Sequence, residues 1–184
     1  MDFKTIVHNI NTRQIETFST VQEFRSKTGI SILSRKHRGL YWLWTNLDFS
    51  TLKKCTTKPN TKEVPIASLV SNRDGLKNIC DLKKGKFRVV YNGIGGYHKT
   101  PPSFGLRERI NQELYCNDPR TGTLNILNRD FKPEHWAVSF FDFDDPYNTE
   151  IVNVLKSENP YIAFAKELET VWRLEFGMPI LCRY

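Results

Sequence analysis

The architecture of this chain turns on Phe87-Arg88-Val89-Val90-Tyr91-Asn92-Gly93-Ile94-Gly95-Gly96. Phe87 to Tyr91 are mostly β-branched or aromatic and read as a strand. A basic turn, Lys83 to Lys86 around Gly85, leads into it. The glycines that close the run let backbone approach a neighbour or a ligand closely. They do not make a nucleotide fingerprint, because no G-x-G-x-x-G opens directly into a helix. An earlier run of similar character, Gly39-Leu40-Tyr41-Trp42-Leu43-Trp44, reads as another strand. A later one, Trp136 to Phe141, is a third, ended by Asp142, Asp144, Asp145 and Pro146. The fold expected is α+β, a small central antiparallel or mixed β-sheet flanked by helices.

Beyond the glycines, Leu106, Ile110 and Leu114 recur every four residues and form the apolar seam of a helix starting near Ser103 or Gly105. Arg107 and Arg109 flank the seam and, two residues apart, point to different sides. The last helix has clear punctuation: Asn159 as N-cap, Pro160 in the first position, Gly177 at C′ and Pro179 beyond. Tyr161, Ala165, Leu168 and Trp172 share one of its faces, and Ile180 to Cys182 read as a final short extended segment.

Between the first two strands, residues 51–64 are rich in Lys, Thr, Pro and Asn and read as an exposed loop. Pro65 to Leu69 is a short strand or a helix start. At the amino end, Ile6, Ile10 and Ile15 around the turn-like Asn11-Thr12-Arg13 suggest a hairpin. A helix follows, with Ser19 as its cap, Gln22 as capping-box partner and Gly29 closing it. It leads into a basic cluster of Arg35, Lys36, His37 and Arg38. Residues 1–38 thus read as a β-hairpin/helix appendage that binds DNA; in the plainer alternative, the helix merely packs on the main domain.

The chain has 184 residues, 39% hydrophobic and 12% aromatic, enough for one core with a small appendage. Its net charge of +7 points to a polyanion, nucleic acid first. Residues 1–64 carry 11 basic and 5 acidic side chains, residues 65–135 carry 12 and 7, and residues 136–184 carry 4 and 8. A basic field thus adjoins an acidic end, where a cation would fit unless the acids are only a solvated face. No apolar run is long enough to span a bilayer, and Met1-Asp2-Phe3-Lys4 lacks a signal layout, so a cytoplasmic protein without membrane contact is expected. Cys55, Cys80, Cys116 and Cys182 have no C-x-x-C spacing and read as reduced, mostly buried thiols. His8, His37, His98 and His135 form no metal-binding helix motif.

Four pieces stand in order: G-L-Y at 39–41, Y-N-G at 91–93, L-R-E-R-I at 106–110, and E-L-E-T-V-W from 167 with Pro179 after it. Together they resemble the GIY-YIG nuclease family. Two short strands bear its tripeptides, a following helix carries an L-R-x-R-L-like pattern, and a later helix supplies a metal-binding Glu. The resemblance covers residues 39–184, with an insertion at about 45–86 between the tripeptides. Tyr41 and Tyr91 are 50 positions apart, wider than the family's short hairpin. Either an insertion separates two paired strands, or the true first strand lies nearer Pro65 to Leu69. Asn92 replaces the family's middle Ile, Ile94 stands where a Lys often does, and no polar residue trails Pro179 in the family's manner.

The resemblance implies a Mg²⁺- or Mn²⁺-dependent endonuclease acting on double-stranded DNA, most simply a type II restriction enzyme working as a homodimer on a palindrome. A homing or phage-type enzyme, a non-catalytic nucleic-acid binder on a decayed nuclease fold, and an unrelated basic α+β protein are the alternatives. Phosphodiester hydrolysis needs an activated water and shielding of transition-state charge. Glu169 would hold the cation, with Glu167 and Glu175 as competing carboxylates. Arg109 would neutralise the scissile phosphate through its planar fork, with Arg107 as the rival or as a DNA contact. Tyr41 or Tyr91 would be the base, its pKa lowered beside a metal and an arginine. Lys99 would contact the phosphate or polarise the water, and His98 is a further candidate base. Arg35, Lys36 and Arg38 would contact DNA.

Overall fold

Strand β2 (Gly39–Thr45) runs through the centre of the molecule with all seven residues buried. The computed structural model describes residues 2–26, 33, 36–96, 105–129, 131–157 and 160–183. Among them the helices are α1 (Phe3–Glu16), α2 (Val21–Arg25), α3 (Phe49–Leu52), α4 (Ile66–Arg73), α5 (Leu106–Leu114), α6 (Thr149–Asn153) and α7 (Pro160–Phe176). The other strands are β1 (Ser19–Thr20), β3 (Lys83–Lys84), β4 (Phe87–Gly95) and β5 (Trp136–Asp142). The sheet has the order β1-β5-β2-β4-β3, and every adjacent pair is antiparallel. The architecture is α+β with one five-stranded antiparallel sheet.

A strand with helices on both sides buries alternate residues in two different layers. Leu40, Trp42 and Trp44 face one apolar layer, which holds Ile6, Val7 and Ile10 of α1 with Ala165, Leu168 and Trp172 of α7. Tyr41 and Leu43 face the other, built from Leu106, Ile110 and Leu114 of α5 with Leu124, Ile126 and Leu181. The expected stripes of both helices are therefore the faces that cover the sheet. The expected residues also punctuate α5 and α7: Gly105 is the N-cap of α5, and Gly177 follows α7 at φ +91°.

The amino end departs from expectation. Residues 3–16 are one helix, not a hairpin, capped by Asp2. The turn-like Asn11 is buried inside it, where its Oδ1 accepts from Trp172 Nε1 at 3.1 Å and from Gln14 Nε2 at 3.1 Å. Gln14 in turn bonds Ser139, whose Oγ accepts from Trp44 Nε1 at 2.8 Å. Tertiary hydrogen bonds override the local turn preference of asparagine. Strand β1 then pairs with β5, so the segment extends the sheet and its helical layer instead of standing beside them as a hairpin module. The helix after β1 starts one residue later than expected, with Thr20 and Glu23 forming the capping box, and ends at Arg25. Gly29 and Asn159 lie outside the described residues.

Three smaller expectations are also settled. Residues 51–64 are not loop throughout, because Asp48 caps the short α3. Pro65 to Leu69 opens helix α4, not a strand. Ile180 to Cys182 form a turn, not a strand, although Leu181 N–H donates to Val90 O at 2.9 Å. The insertion supplies Leu52, Val64, Ile66 and Val70 to the core, so its base is scaffold. No helix among the described residues is long and apolar enough to cross a membrane.

Candidate active-site cleft

The two tripeptide strands are direct neighbours. Tyr41 pairs with Gly93 and Leu43 with Tyr91, whereas Trp44 pairs with Val89, so Val90 is an extra residue in β4. This bulge changes the phase of the strand. Phe87 and Val89 face the layer of Trp44, while Tyr91 packs in the layer of Tyr41. Without the extra residue Val89 and Tyr91 would share a face. With it the Tyr41 and Tyr91 rings lie 6.2 Å apart, centre to centre. The strands that carry Tyr41 and Tyr91 thus pair directly although 50 positions separate the two residues, and Pro65 to Leu69 is not the partner of β4.

The glycines set two close approaches. A Cβ on Gly93 would collide with the Tyr41 phenol, so the ring lies directly over that residue. Gly39 and Gly95 face each other across the strand pair, and Leu106 of α5 sits against both. Helix α5 can therefore begin in contact with the sheet, and Leu106 N–H donates to His37 O at 2.8 Å. That placement carries Arg109 and Glu113 over the two tyrosines.

Strand β3 pairs with Phe87 and Arg88, and beyond them β4 has an edge without a strand partner among the described residues. Beside that edge, between α5 and α7, opens a cleft of about 890 Å³ lined by Tyr41, Tyr91, Asn92, Gly93, Arg109 and Glu169 among others. Four of the expected site residues therefore reach one cavity. Arg107, also on α5, is half-buried and is not among its lining residues. Arg35, His98 and Lys99 lie outside the described residues. Lys36 is exposed, and Arg38 rests against Gly96 at the cleft's end while its Nη2 pairs with Asp144 Oδ1 at 2.5 Å.

Sequence reading missed the residue at the centre of the site, Glu113. Its side chain is fully buried. Oε1 accepts from Tyr41 Oη at 2.8 Å, Oε2 accepts from Leu124 N–H at 2.8 Å, and Arg109 Nη2 lies 3.4 Å from Oε1. Arg109 also donates to Gln112 at 2.6 Å. The signal was available: position 113 follows Ile110 by three and Leu106 by seven, so an acid sits on the apolar stripe of the helix. A carboxylate there needs partners inside the fold.

The protein groups alone push both phenols upward; the lowering expected beside a metal belongs to the loaded site. Burial is the main cause that holds the Tyr41 phenol well above its ordinary pKa, and the negative charge of Glu113 adds to it. Tyr91 is raised in the same way, by burial first and Glu113 second, although Arg109 opposes both. Neither phenol is a phenolate near neutral pH; Tyr41 is a hydrogen-bond donor. Burial also raises Glu113 against the opposing pull of Arg109. Arg109, next to Tyr41 and Glu113, is held above its ordinary value and stays charged.

On the opposite wall, Glu169 projects from α7 with its side chain 13% exposed. Its Oε1 accepts from Arg173 Nη2 at 2.8 Å, and Arg173 Nε donates to Asn92 Oδ1 at 2.9 Å. The unexpected Asn92 is thereby explained as the anchor of that arginine, and Cys182 Sγ lies 3.2 Å from the same oxygen. Burial raises the Glu169 carboxyl, with Arg173 and Lys166 opposing. The competing carboxylates face elsewhere. Glu167 is exposed, and Glu175 pairs with Lys4 and His8 to tie α7 to α1. The acids that end β5 are engaged as well, Asp142 with His37 at 2.6 Å and Asp145 with Tyr147 N–H at 2.9 Å.

The cleft lining is strongly basic: Lys62, Arg109, Arg120, Lys166, Arg173 and Arg183 against the single carboxylate of Glu169. No group of three or more His, Cys, Asp or Glu assembles among the described residues. A dedicated protein cage for a metal is therefore not formed by them. One carboxylate in an open basic cleft still suits Mg²⁺, which keeps several waters and uses one or two carboxylates together with substrate oxygens. No protein-family model matches the chain, and neither does any curated protein or solved structure.

Proposed function

We propose that the protein is a divalent-metal-dependent DNA endonuclease of the GIY-YIG type, hydrolysing phosphodiester bonds in double-stranded DNA. One observation carries this reading: Tyr41, Tyr91, Arg109 and Glu169, from four separate elements, line one basic cleft. A phosphate drawn in by six cationic side chains would meet the Arg109 fork, which Glu113 and Gln112 steady. The fixed positive charge there stabilises the developing dianion. Glu169 would hold Mg²⁺ or Mn²⁺, which supplies Lewis-acid polarisation of the phosphate. Tyr41 and Tyr91 both line the cleft and both bond to Glu113, so either phenol is a candidate to meet the water. The phenol's Oη would orient that water through a lone pair while keeping its own proton. A dimer on DNA, each copy cutting one strand, is the assembly this chemistry calls for in a restriction enzyme.

Incubation of plasmid DNA with Mg²⁺ tests the reading on wild type and on Glu169→Gln. Cleavage by the wild type that the variant loses supports it, and undiminished cutting by the variant overturns the metal assignment. A discrete fragment ladder marks a restriction enzyme, and a single rare cut marks a homing enzyme. The Glu169–Arg173 ion pair favours one second reading, a non-catalytic nucleic-acid binder whose only cleft carboxylate is already neutralised. That reading requires salt-sensitive DNA binding with no cleavage in any divalent metal.

A further inference from the structure

A buried ion pair, Arg129 with Glu63, anchors the base of an exposed segment. Residues 56–60 are all exposed. The chain around them is nevertheless held firmly. Arg129, 2% exposed, donates to Thr56 O at 3.1 Å and to Val64 O at 2.8 Å, and it pairs with the buried Glu63 at 3.1 Å. Arg183 donates to the carbonyls of Lys62 and Glu63, and Lys62 N–H donates to Pro119 O at 2.7 Å. Within the loop, Thr61 Oγ1 donates to Lys58 O at 3.0 Å, and Asn60 adopts φ +59°.

Desolvating a charge pair is costly, and here, besides holding Glu63 and Val64 in the scaffold, it reaches the carbonyl of the exposed Thr56. Such an arrangement stabilises one loop shape in advance, which lowers the ordering cost of binding something outside the fold. The side chains indicate what that is. From Lys53 to Lys62 the loop carries Lys53, Lys54, Lys58 and Lys62, three threonines and no acid. Lysine and threonine are ordinary contacts to phosphate oxygens. Lys53 is taken by Asp74 at 2.8 Å, which leaves Lys54, Lys58 and Lys62 to face outward. Lys62 itself lines the cleft, so the loop continues the basic rim away from the site.

We infer that the loop of residues 54–62 is a preformed arm that grips the phosphate backbone of the DNA duplex flanking the cleft. It rests on the proposed function for the identity of the polyanion, and its test does not depend on catalysis. The arm adds affinity without reading sequence, because backbone contacts carry none directly. The scissile phosphate meets Arg109; the arm meets phosphates farther along the duplex.

The experiment is a fluorescence-anisotropy titration of a labelled duplex in EDTA across a range of salt. It compares wild type, the triple variant Lys54→Ala/Lys58→Ala/Lys62→Ala, and a charge-matched control, Lys77→Ala/Lys86→Ala/Lys132→Ala. The control removes three exposed lysines that do not line the cleft. Each lost phosphate contact lowers the slope of log K against log salt by about 0.9, so the arm variant is expected to lose up to about 2.7 while the control keeps the wild-type slope. An arm variant with an unchanged slope, or a control that falls equally, overturns the inference. A wild type that binds no duplex overturns it too. A wild type that binds with this pattern and never cleaves leaves the arm standing and removes the nuclease reading.

Discussion

Tyr41 donates its phenolic proton to Glu113 across 2.8 Å, joining the central strand to the arginine helix inside a fully buried pair. This bond holds the carboxylate that steadies Arg109. It also makes the site sensitive to small changes that leave the fold in place.

Glu113 ties stability to pH in a defined direction. Burial raises its carboxyl in the folded state above the ordinary 4.5. The unfolded chain then releases this proton first, so the group's contribution is complete below about pH 4.5 and is lost as pH rises through the folded value. Glu113→Gln cannot ionise; its one carbonyl oxygen can still accept from Leu124 N–H while its amide N–H donates to Tyr41 Oη. Its Tm should fall less steeply than that of wild type between about pH 4.5 and 7, as scanning calorimetry would measure. Identical slopes would remove Glu113 from the account.

Tyr41 and Tyr91 should stay protonated through the ordinary tyrosine range near pH 10. Replacing either with Phe is expected to leave the phenolate absorbance rise in that range unchanged, because neither contributes until the fold opens. A smaller rise in Tyr91→Phe would mean that Tyr91 ionises in the native state.

Gly93→Ala places a methyl group where the Tyr41 ring lies. The ring cannot yield without breaking its bond to Glu113, so overpacking should destabilise the protein by about 1–3 kcal/mol. The displaced phenol also disturbs Arg109, so DNA cleavage should fall together with Tm. Thermal denaturation and a cleavage time course measure the two effects.

Arg109→Lys keeps the charge and loses the fork. If the proposed chemistry is right, kcat drops by roughly 10²–10³ with little change in Tm. Arg107→Lys, outside the cleft, should leave kcat near wild type. Single-turnover kinetics on a defined duplex separates them, and equal losses would count against the choice of Arg109.

Asn11→Ala strips an acceptor from Trp172 Nε1 and Gln14 Nε2 in the α1–α7 contact. Leaving buried donors unmatched costs about 1–3 kcal/mol. Urea denaturation should show a lower midpoint with an unchanged m-value, and a neutral result would mean that the buried polar chain through Ser139 re-forms without it.

Much of this was legible because it was periodic. The apolar runs gave β2, β4 and β5, and the four-residue seams gave α5 and α7. What stayed hidden depended on partners distant in sequence. Asn11 reads as a turn until Trp172 is beside it. Glu113 reads as a surface acid until Tyr41 and Leu124 surround it. The bulge at Val90 leaves no local mark, and yet it decides which face Tyr91 occupies. Asn92 departs from the family's middle Ile, and its role as acceptor for Arg173 shows only when α7 lies beside β4.

The strand order has a consequence for how the chain is made. β2 lies between β4 and β5, both later in the sequence, and β1 pairs only with β5. Helix α1 leans on α7, near the opposite end of the described chain. A nascent chain emerging from the ribosome therefore holds its central strand unpaired on one side until Trp136–Asp142 has been synthesised. Contacts so distant in sequence slow folding and prolong the exposure of apolar strands. Ile6, Val7 and Ile10 of α1 and Trp42 of β2 all wait for α7 to complete their cover, so the apolar surface exposed during synthesis lies there.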